Sequence, residues 1–569
     1  MNRTIMKQTI YNNWLPQKNP SLIFILIMLI TGCSPRLSDD EIPMQDLYTG
    51  SVYLEEHYEW DSLEARKAIL EYTEESGDTN LFNLYRKYDY NMLWINRGSI
   101  NSNAKQLIKG LRSSWKEGLT NVGYNINEIY NYVYDLQGKR KIRPGTMRKY
   151  SHLDVLFSNA YLDYTSDLLS GKVNPGALDS IWEAHPRDEN LINRMQKALN
   201  EGAILQSLNE LKPENPQYIK LSSKLEDYLI IRYNGGWEMP GYFSLLARGD
   251  SNKNVISVKE YLRITGDLQL VDEHYMKSGL FDQVLKIAVI NYQQRHGLKQ
   301  DGLVGKETLA EMNKTIEYRI DQVRVNMERI RWLPDSFGEK YILVNLPEYK
   351  LRYYEKGCLL EEMKIVIGEI ENYTPVLKDT LRYIVFNPVW NLPRSIAVKE
   401  KLPRIKSDST YLERYDYILL KGSYISNDTI NPDSVNWSDI DKENFPFYMV
   451  QKPGKYNALG RVKFLFPNHH AIYLHDTPSE HLFDVHLRDL SHGCIRLERP
   501  FQLALKILRG HMTWIEMLDI LGSEETTTIT LDEMVKVHFL YFTAWVDDKN
   551  RINFRKDLYN FDRMTAVKL

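Results

Sequence analysis

The spacing of apolar residues changes once along this chain, near residue 340, and this change limits the folds that the chain can adopt. From about residue 46 to 250, apolar residues recur three or four positions apart, as in 104–111, which is typical of one buried helix face. A further helix is predicted at Ile316–Arg331. From Tyr341 onwards apolar and polar residues alternate, which indicates strands. The chain is therefore predicted to be an α+β protein with a helical N-terminal part and a mostly-β C-terminal part.

A length of 569 residues predicts three or four domains. We expect a signal peptide with a lipobox at 1–33, a tether at 34–45, a helical scaffold domain at 46–250, a small helical module at 255–315, a connecting helix at 316–339 and a mostly-β domain at 340–569. Within the last of these, residues 401–447 are polar, rich in Tyr and Asp and weakly periodic. So long a segment is expected to be either disordered or functional, as an active-site lid would be.

The N-terminal segment resembles the leader of a bacterial lipoprotein. A basic start precedes the nine-residue apolar run Leu22–Ile30, which is too short to span a membrane as a helix. Thr31, Gly32 and Cys33 then resemble a lipobox, in which a peptidase cleaves before the Cys and lipid is attached to its sulfur. The alternative is an ordinary signal peptide with a chance Cys. We expect a periplasmic, lipid-anchored protein, with Ser34 favouring the outer membrane.

Charge and cysteine content exclude several classes of function. The 72 basic and 75 acidic residues give a net charge of −3 without a long basic run, so no nucleic-acid partner is expected. Three cysteines cannot form a disulfide framework, and the absence of a CxxC pair excludes a zinc ribbon. Cys358 has no nearby His and is expected to be a passive strand residue. No cofactor and no metal are expected.

Histidines cluster around one of the cysteines. Six of the 13 lie between His469 and His492. Residues 471–475 and 493–497 are predicted to be strands in which His475, Cys494 and Arg496 occupy the non-core faces. If the two strands lie side by side, these three side chains share one exposed face.

That set of side chains can carry out nucleophilic catalysis. A thiol is mostly protonated at neutral pH, and a neighbouring imidazole can take its proton and return it later. Arg496 can hold a carboxylate and favour the thiolate. Gly493 allows close approach of a substrate, and the amides around Cys494 can form an oxyanion hole that His492 helps to position.

Two other interpretations remain open. Cys494 can be a structural residue beside surface histidines. Alternatively, a zinc site can be built from Cys494 and the histidines at 469, 475, 481, 486 and 492, although these lack the HExxH spacing.

Two stretches resemble known families. Leu285–Asn313, with its HGL, DG, VG and TL steps, resembles the three-helix peptidoglycan-binding module, although a spacer hairpin is the alternative. His475 followed by Ser491-His492-Gly493-Cys494-Ile495-Arg496 resembles the signature of the YkuD-type L,D-transpeptidases. Further matches at 387–396, 453–464, 466–468 and 475–478 resemble its YcbB-like subgroup, which combines a helical scaffold, a peptidoglycan-binding module, and a mostly-β YkuD-type catalytic domain with an inserted lid.

The resemblance implies roles for individual residues. Cys494 would be the nucleophile and His475 the general base and acid, oriented by a backbone carbonyl of Asp476 or Thr477, with His492, Gly493 and Arg496 completing the site. The expected substrate contacts are Tyr473, Asp476, Thr477, Trp390, Asn391, Arg394 and Ser491. Asp476 stands where many relatives have Gly, which the subgroup tolerates.

The reaction implied is acyl transfer from a peptidoglycan tetrapeptide stem. The thiol would attack the L,D-peptide bond, release D-alanine and form a thioester, which an amine of a neighbouring stem would convert into a three-to-three cross-link. Acylation by carbapenems is implied as well. An L,D-carboxypeptidase and a catalytically inactive, wall-binding lipoprotein are the alternatives.

Overall fold

The computed structural model describes residues 61–96, 98–120, 123–137, 145–179, 182, 187–269 and 271–569. The predicted signal peptide, tether and lipidation residue Cys33 lie outside these residues. None of the helices described there combines the length and the apolar character needed to cross a membrane.

Helices dominate the N-terminal part, as predicted. They are α1 Ser62–Glu75, α2 Thr79–Lys87, α3 Ser102–Arg112, α4 Ile126–Gln137, α5 Thr146–Ser170, α6 Leu191–Glu201, α7 Ile204–Glu210 and α8 Pro216–Tyr233, with a short hairpin of β1 Ile95–Asn96 and β2 Ser99–Ile100. Asp61, Asp78 and Asn101 cap helix N-termini with their side chains. In the buried α5, the carboxylate of Asp154 accepts the amides of residues 93–95, so this charge is satisfied by hydrogen bonds.

The small module is helical as well. It contains α9 Lys253–Ile264, α10 Glu273–Lys277, α11 Gln283–Arg295 and α12 Lys306–Met312. The apolar side chains of α11 at Leu285, Ala288, Val289 and Tyr292 are buried in the core of the module. Gly297 follows the end of α11 with φ of 61°, a left-handed conformation that Gly adopts without a Cβ penalty.

The helix α13 spans Ile316–Arg331, the range predicted from the sequence. Its apolar side packs with α8 and with strands of the C-terminal part. It also carries buried charged pairs: Arg331 binds Glu328 at 2.8 Å and Arg329 binds Asp562 at 2.6 Å. The helix therefore connects the scaffold to the C-terminal domain through shared buried contacts.

The C-terminal domain is built on a nine-stranded sheet. The remaining strands of the chain are β3 Lys340–Asn345, β4 Lys350–Glu355, β5 Cys358–Gly368, β6 Lys378–Phe386, β7 Trp390–Asn391, β8 Tyr417–Leu420, β9 Thr429–Ile430, β10 Tyr448–Gln451, β11 Val462–Leu465, β12 Leu474–His475, β13 Asp489–Ser491, β14 Ile495–Leu497, β15 Thr527–Leu540, β16 Ala544–Val546 and β17 Ile552–Phe554. The order is β13-β5-β14-β12-β11-β6-β15-β3-β4, and β4 also pairs with β5, so the sheet closes on itself.

The strands after residue 520 differ from the prediction. The sequence pattern predicts separate strands at 527–530 and 535–545, whereas β15 runs as one strand from Thr527 to Leu540 with an irregularity between Thr530 and Val535. A β-bulge of this kind interrupts the side-chain alternation without ending the strand, and the sequence pattern therefore looked like a break.

Residues 401–447 belong to a folded subdomain. It contains α14 Arg394–Ile396, a π-helical turn Ala397–Lys401, α15 Leu402–Ser407, α16 Tyr411–Arg414 and the four-stranded sheet β7-β10-β8-β9. Buried apolar and aromatic side chains, among them Leu402, Tyr411 and Leu419, give it a core of its own. We call the segment 394–451 the lid. The chain ends with α17 Pro500–Ile507, α18 Trp514–Ser523 and α19 Phe561–Ala566.

Candidate active site

The predicted site residues meet where β11, β12 and β14 lie side by side. His475 pairs with Lys463 in the antiparallel pair β11–β12 and with Arg496 in the parallel pair β12–β14. The strands that bear His475 and Arg496 are therefore neighbours, but His475 is buried and not exposed as predicted from the sequence. Leu474 and Ile495 point into the core and are fully buried, so His475 and Arg496 lie on the opposite face.

Both strands are shorter than predicted. We expected strands at 471–475 and 493–497, but regular pairing begins only at Leu474 and Ile495. Gly493 has φ of 109° and Ala471 has φ of 53°, and neither value is compatible with a strand. The residues before each strand form turns that shape the site.

The turn before β14 is fixed by Ser491 and Thr374. The Ser491 hydroxyl donates to the Cys494 carbonyl at 2.6 Å and accepts the Gly493 amide at 3.2 Å. Thr374 Oγ1 donates to the Gly493 carbonyl at 2.7 Å. A Cβ on the neighbouring Gly368 would lie 3.0 Å from the Gly493 Cα, so the two glycines permit this close packing.

The turn before β12 is organised by Asn468, a residue that sequence reasoning did not single out. Its side chain accepts the amides of His470 and Ile472 at 3.1 Å each and donates to the Ile472 carbonyl at 2.7 Å. Ala471 is held in a left-handed conformation, and its carbonyl accepts the Cys494 thiol at 3.8 Å. Such backbone strain is common at functional sites.

The imidazole of His475 is fixed in one tautomer. Nδ1 donates to the Asp476 carbonyl at 2.5 Å, one of the two carbonyls expected from the resemblance. Nε2 makes no hydrogen bond within the described residues and carries the lone pair. Burial, followed by the charge of Arg496, lowers the pKa of His475 to about 3. The ring is therefore neutral at physiological pH.

Asp476 holds the turn that follows His475. Its carboxylate accepts the Arg461 and Thr477 amides at 2.7 Å each. Burial raises the pKa of Asp476 to about 6. A Cβ at Gly460 would lie 2.2 Å from this carboxylate, so the side chain fills the space beside a glycine. Thr477 is buried, and its hydroxyl accepts the Ser479 amide at 3.2 Å.

Opposing effects act on the pKa of the Cys494 thiol. Burial raises its pKa, while hydrogen bonds from Tyr473 and the charges of Lys463 and Arg496 lower it. The Tyr473 ring also packs edge-on against the His475 ring at 5.6 Å between centroids. Tyr473 thus touches both the thiol and the imidazole.

Arg496 has unused hydrogen-bonding capacity. Its Nε is buried and has no hydrogen-bond partner among the residues that the structure describes, and burial lowers the pKa of Arg496. A buried donor without a partner is costly, and a carbonyl or carboxylate of a ligand would satisfy it.

The lid contacts the site through its first helical turns. His492 Nε2 lies 2.6 Å from Glu400 Oε1 in the π-helical turn, and Lys401 lies over the Trp390 ring at 5.8 Å. Trp390 and Asn391 form β7 at the edge of the lid sheet, where Asn391 pairs with Val450. Arg394 donates to the carbonyls of Phe445 and Glu443, so it binds the lid backbone.

Another histidine of the cluster, His486, contacts the small module, where its Nε2 donates to the Gly297 carbonyl at 2.6 Å. Over the described ranges of the chain, no group of three His, Cys, Asp or Glu side chains has a geometry suited to a metal ion. Cys358 is exposed at the start of β5.

Comparison with known proteins assigns three parts of the chain. Residues 339–516 match the L,D-transpeptidase catalytic domain of the YkuD family, residues 251–312 match the family described as "Putative peptidoglycan binding domain", and residues 79–225 match the scaffold domain. The peptidoglycan-binding and transpeptidase resemblances seen in the sequence are thereby confirmed.

A protein from Haemophilus influenzae named "Putative L,D-transpeptidase" is 36% identical over 244 residues, which is 42% of this chain and 48% of that protein. The match therefore spans about half the length of this relative. Two solved structures, L,D-transpeptidases from Xylanimonas cellulosilytica and Stackebrandtia nassauensis, are 14% and 13% identical with TM-scores of 0.17 and 0.21. They cover 53% and 52% of this chain, and the chain covers 100% and 94% of theirs.

Proposed function

We propose that this chain, which carries the catalytic domain of the YkuD-type L,D-transpeptidases together with a scaffold domain and a peptidoglycan-binding domain, catalyses acyl transfer between peptide stems of peptidoglycan through Cys494. The finer parts of this proposal are the cysteine chemistry, the tetrapeptide donor and the cross-linked product. The cysteine chemistry is supported by the geometry of the site, and the donor and product are those implied by the resemblance to the family.

The observation that carries the proposal is the fixed tautomer of His475. Because Nδ1–H donates to the Asp476 carbonyl, Nε2 is an acceptor. Because β12 and β14 are paired, this acceptor stands beside the strand that Cys494 precedes. A neutral imidazole next to a thiol is the arrangement that general-base activation requires.

In the first step, Nε2 of His475 takes the thiol proton as Sγ of Cys494 attacks the L,D-peptide carbonyl. The carbon–sulfur bond forms, and the carbon–nitrogen bond breaks as His475 returns the proton to the amine of D-alanine. Amides of the turn at Gly493 and Cys494 stabilise the oxyanion. The unpaired Nε of Arg496 binds a carboxylate or carbonyl of the stem.

In the second step, an amine of a neighbouring stem attacks the thioester. His475 accepts a proton from the attacking amine and returns it to sulfur, so the amide bond forms as the carbon–sulfur bond breaks. The thioester conserves the energy of the first peptide bond, and no nucleotide is needed.

The remaining site residues shape the cleft. Tyr473 would position the Cys494 thiol and the His475 imidazole. Asp476 and Thr477 would hold the turn after His475, and Ser491 would hold the turn before Cys494. His492 would couple that turn to the lid through Glu400. Trp390, Asn391 and Arg394 would form the lid side of the substrate cleft, and a closed lid excludes water so that an amine accepts the acyl group.

Muropeptide analysis tests the reaction. Expression in a host deficient in three-to-three cross-links is expected to produce such dimers, and Cys494→Ala is expected to abolish them, with Cys358→Ala as the matched control. Tripeptides that accumulate without new dimers would establish the L,D-carboxypeptidase instead. A profile unchanged by Cys494→Ala would contradict the proposal and favour an inactive wall-binding protein.

The proposed location follows from the substrate. An enzyme that acts on peptidoglycan works in the periplasm or cell wall, and we propose that lipid at Cys33 anchors it to the outer membrane. Loss of the protein from the membrane fraction in Cys33→Ala is expected. Retention there would rule out the anchor.

A further inference from the structure

Lys463 stands in a row of charged and titratable side chains across three strands. It lies directly opposite His475 in β11–β12, and His475 lies beside Arg496 in β12–β14. Opposed residues of paired strands project to the same face. The flanking Val462 and Phe464 are fully buried in the core, which places Lys463 on the face that carries the thiol site.

The ammonium group of Lys463 has no acidic partner. Within the described residues it makes no ion pair and no side-chain hydrogen bond. Nζ lies 3.8 Å from the centroid of the Tyr473 ring. The Tyr473 side chain in turn interacts with the Cys494 thiol and lowers its pKa. A half-buried cation that is held on an aromatic ring rather than a carboxylate keeps its charge available to a nearby anion.

We propose that Lys463 is a positioning residue of the active site: its ammonium group, held on the Tyr473 ring, stabilises the negative charge on Cys494 Sγ when the thiol loses its proton. This inference rests on the proposed function and adds a residue to it. In the proton balance, Sγ loses the proton and His475 Nε2 gains it, so the sulfur becomes an anion that faces the cation.

The charges around Cys494 agree with this role. β11 contributes Lys463, β12 contributes His475, the turn before β12 contributes Tyr473, and β14 contributes Arg496. The π-helical turn near the start of the lid adds two charged groups, the carboxylate of Glu400 and the ammonium group of Lys401. Glu400 binds His492, which lies two residues before Cys494. Burial lowers the pKa of Lys463, and the charge on Cys494 opposes that effect. The ammonium also acts on His475, but as the smallest of the influences that lower the pKa of this imidazole.

The test is the pH dependence of Cys494 alkylation by iodoacetamide, read by peptide mass spectrometry in the Cys358→Ser background. Lys463→Met removes the charge and keeps an unbranched apolar chain, and it is expected to raise the midpoint of the alkylation profile by about one pH unit. Lys463→Arg keeps the charge and is expected to restore the midpoint. Lys67→Met, on the exposed face of α1, is the matched control and should leave the midpoint unchanged.

A merely structural role for Lys463 gives different results. If Lys463→Met leaves the alkylation midpoint where it is in the parent protein, or if Lys463→Arg shifts it as far as Met does, the proposal is overturned. Thermal unfolding of each variant shows whether the fold is intact. Cross-linking that is lost in Cys494→Ala but unaffected by Lys463→Met would overturn this inference alone and leave the proposed function in place.

Discussion

The chemistry of His475 depends on a single hydrogen bond of its ring. Donation of Nδ1–H to the Asp476 carbonyl fixes the tautomer, and burial keeps the ring neutral. A neutral imidazole can take a proton from a thiol, whereas an imidazolium cannot. The resting site therefore holds a thiol, which donates to the Ala471 carbonyl, rather than a preformed ion pair.

Because the pKa of His475 is about 3 in the folded protein, its ring is expected not to titrate between pH 5 and 8. The unfolded chain takes up this proton near pH 6.5 and the folded protein does not, so the free energy of unfolding falls as pH decreases from about 6.5 to 3. NMR of histidine-labelled protein, with His475→Gln to assign the signal, checks this. A midpoint near 6.5 for His475 would contradict it.

At this scale the sequence identified the reacting groups but not their supports. Cys494, His475 and Arg496 were visible because their residue types and spacing match a thiol-dependent site. Asn468 and Lys463 lie in stretches that resemble the subgroup, but no role was predicted for them, since a turn Asn and a strand Lys are ordinary surface residues in sequence. The position of Lys463 between the apolar residues Val462 and Phe464 indicates that it lies on the non-core face of a strand. Only the register of that strand with His475 shows that this face carries the site.

At the scale of elements, the lid is the part whose structure the sequence predicted least. Its polar, Tyr-rich sequence gave no clear period, because its core is made of aromatic residues such as Tyr411 and Tyr417 and its strands are only two to four residues long. By contrast, the long amphipathic α13 was predicted at its observed bounds. Short elements stabilised by tertiary contacts carry little local signal.

Arg394 fastens the start of the lid to the carbonyls of Phe445 and Glu443 near its end. Arg394→Ala is expected to loosen the lid and admit water, so that the ratio of transfer to hydrolysis falls several-fold. Hydrogen exchange of residues 401–447 and product analysis measure both effects. Arg414→Ala, which removes an exposed pair with Asp408 and an exposed hydrogen bond to Thr410, is the control. Equal ratios in both variants would contradict the assigned role of Arg394.

At the scale of the whole molecule, buried charges connect the scaffold to α13, the helix that leads into the catalytic domain. Arg331 of α13 binds Glu328 at 2.8 Å and the Tyr218 hydroxyl of α8 at 2.8 Å, and it donates to the Glu117 carbonyl. Glu328 also accepts the Val173 amide at 2.7 Å. These contacts join segments that are far apart in sequence, and no local pattern could have predicted them.

Arg331→Met is expected to lower the free energy of unfolding by about 3–5 kcal/mol, because it leaves Glu328 buried without its cation. Chemical denaturation followed by fluorescence measures the change. Lys116→Ala, which removes a half-exposed pair with Glu226, should cost at most about 1 kcal/mol. Similar losses in the two variants would show that the buried network contributes no more than a surface pair.

The central claim is that the sulfur of Cys494 becomes acylated. Intact-mass spectrometry after incubation with meropenem tests it most directly, because the strained ring offers the thiol a reactive carbonyl and the adduct is stable enough to weigh. We expect a mass gain of one meropenem in the parent protein and in Cys358→Ala, and no mass gain in Cys494→Ala. An adduct that persists in Cys494→Ala, or a parent protein that gains no mass, would contradict it.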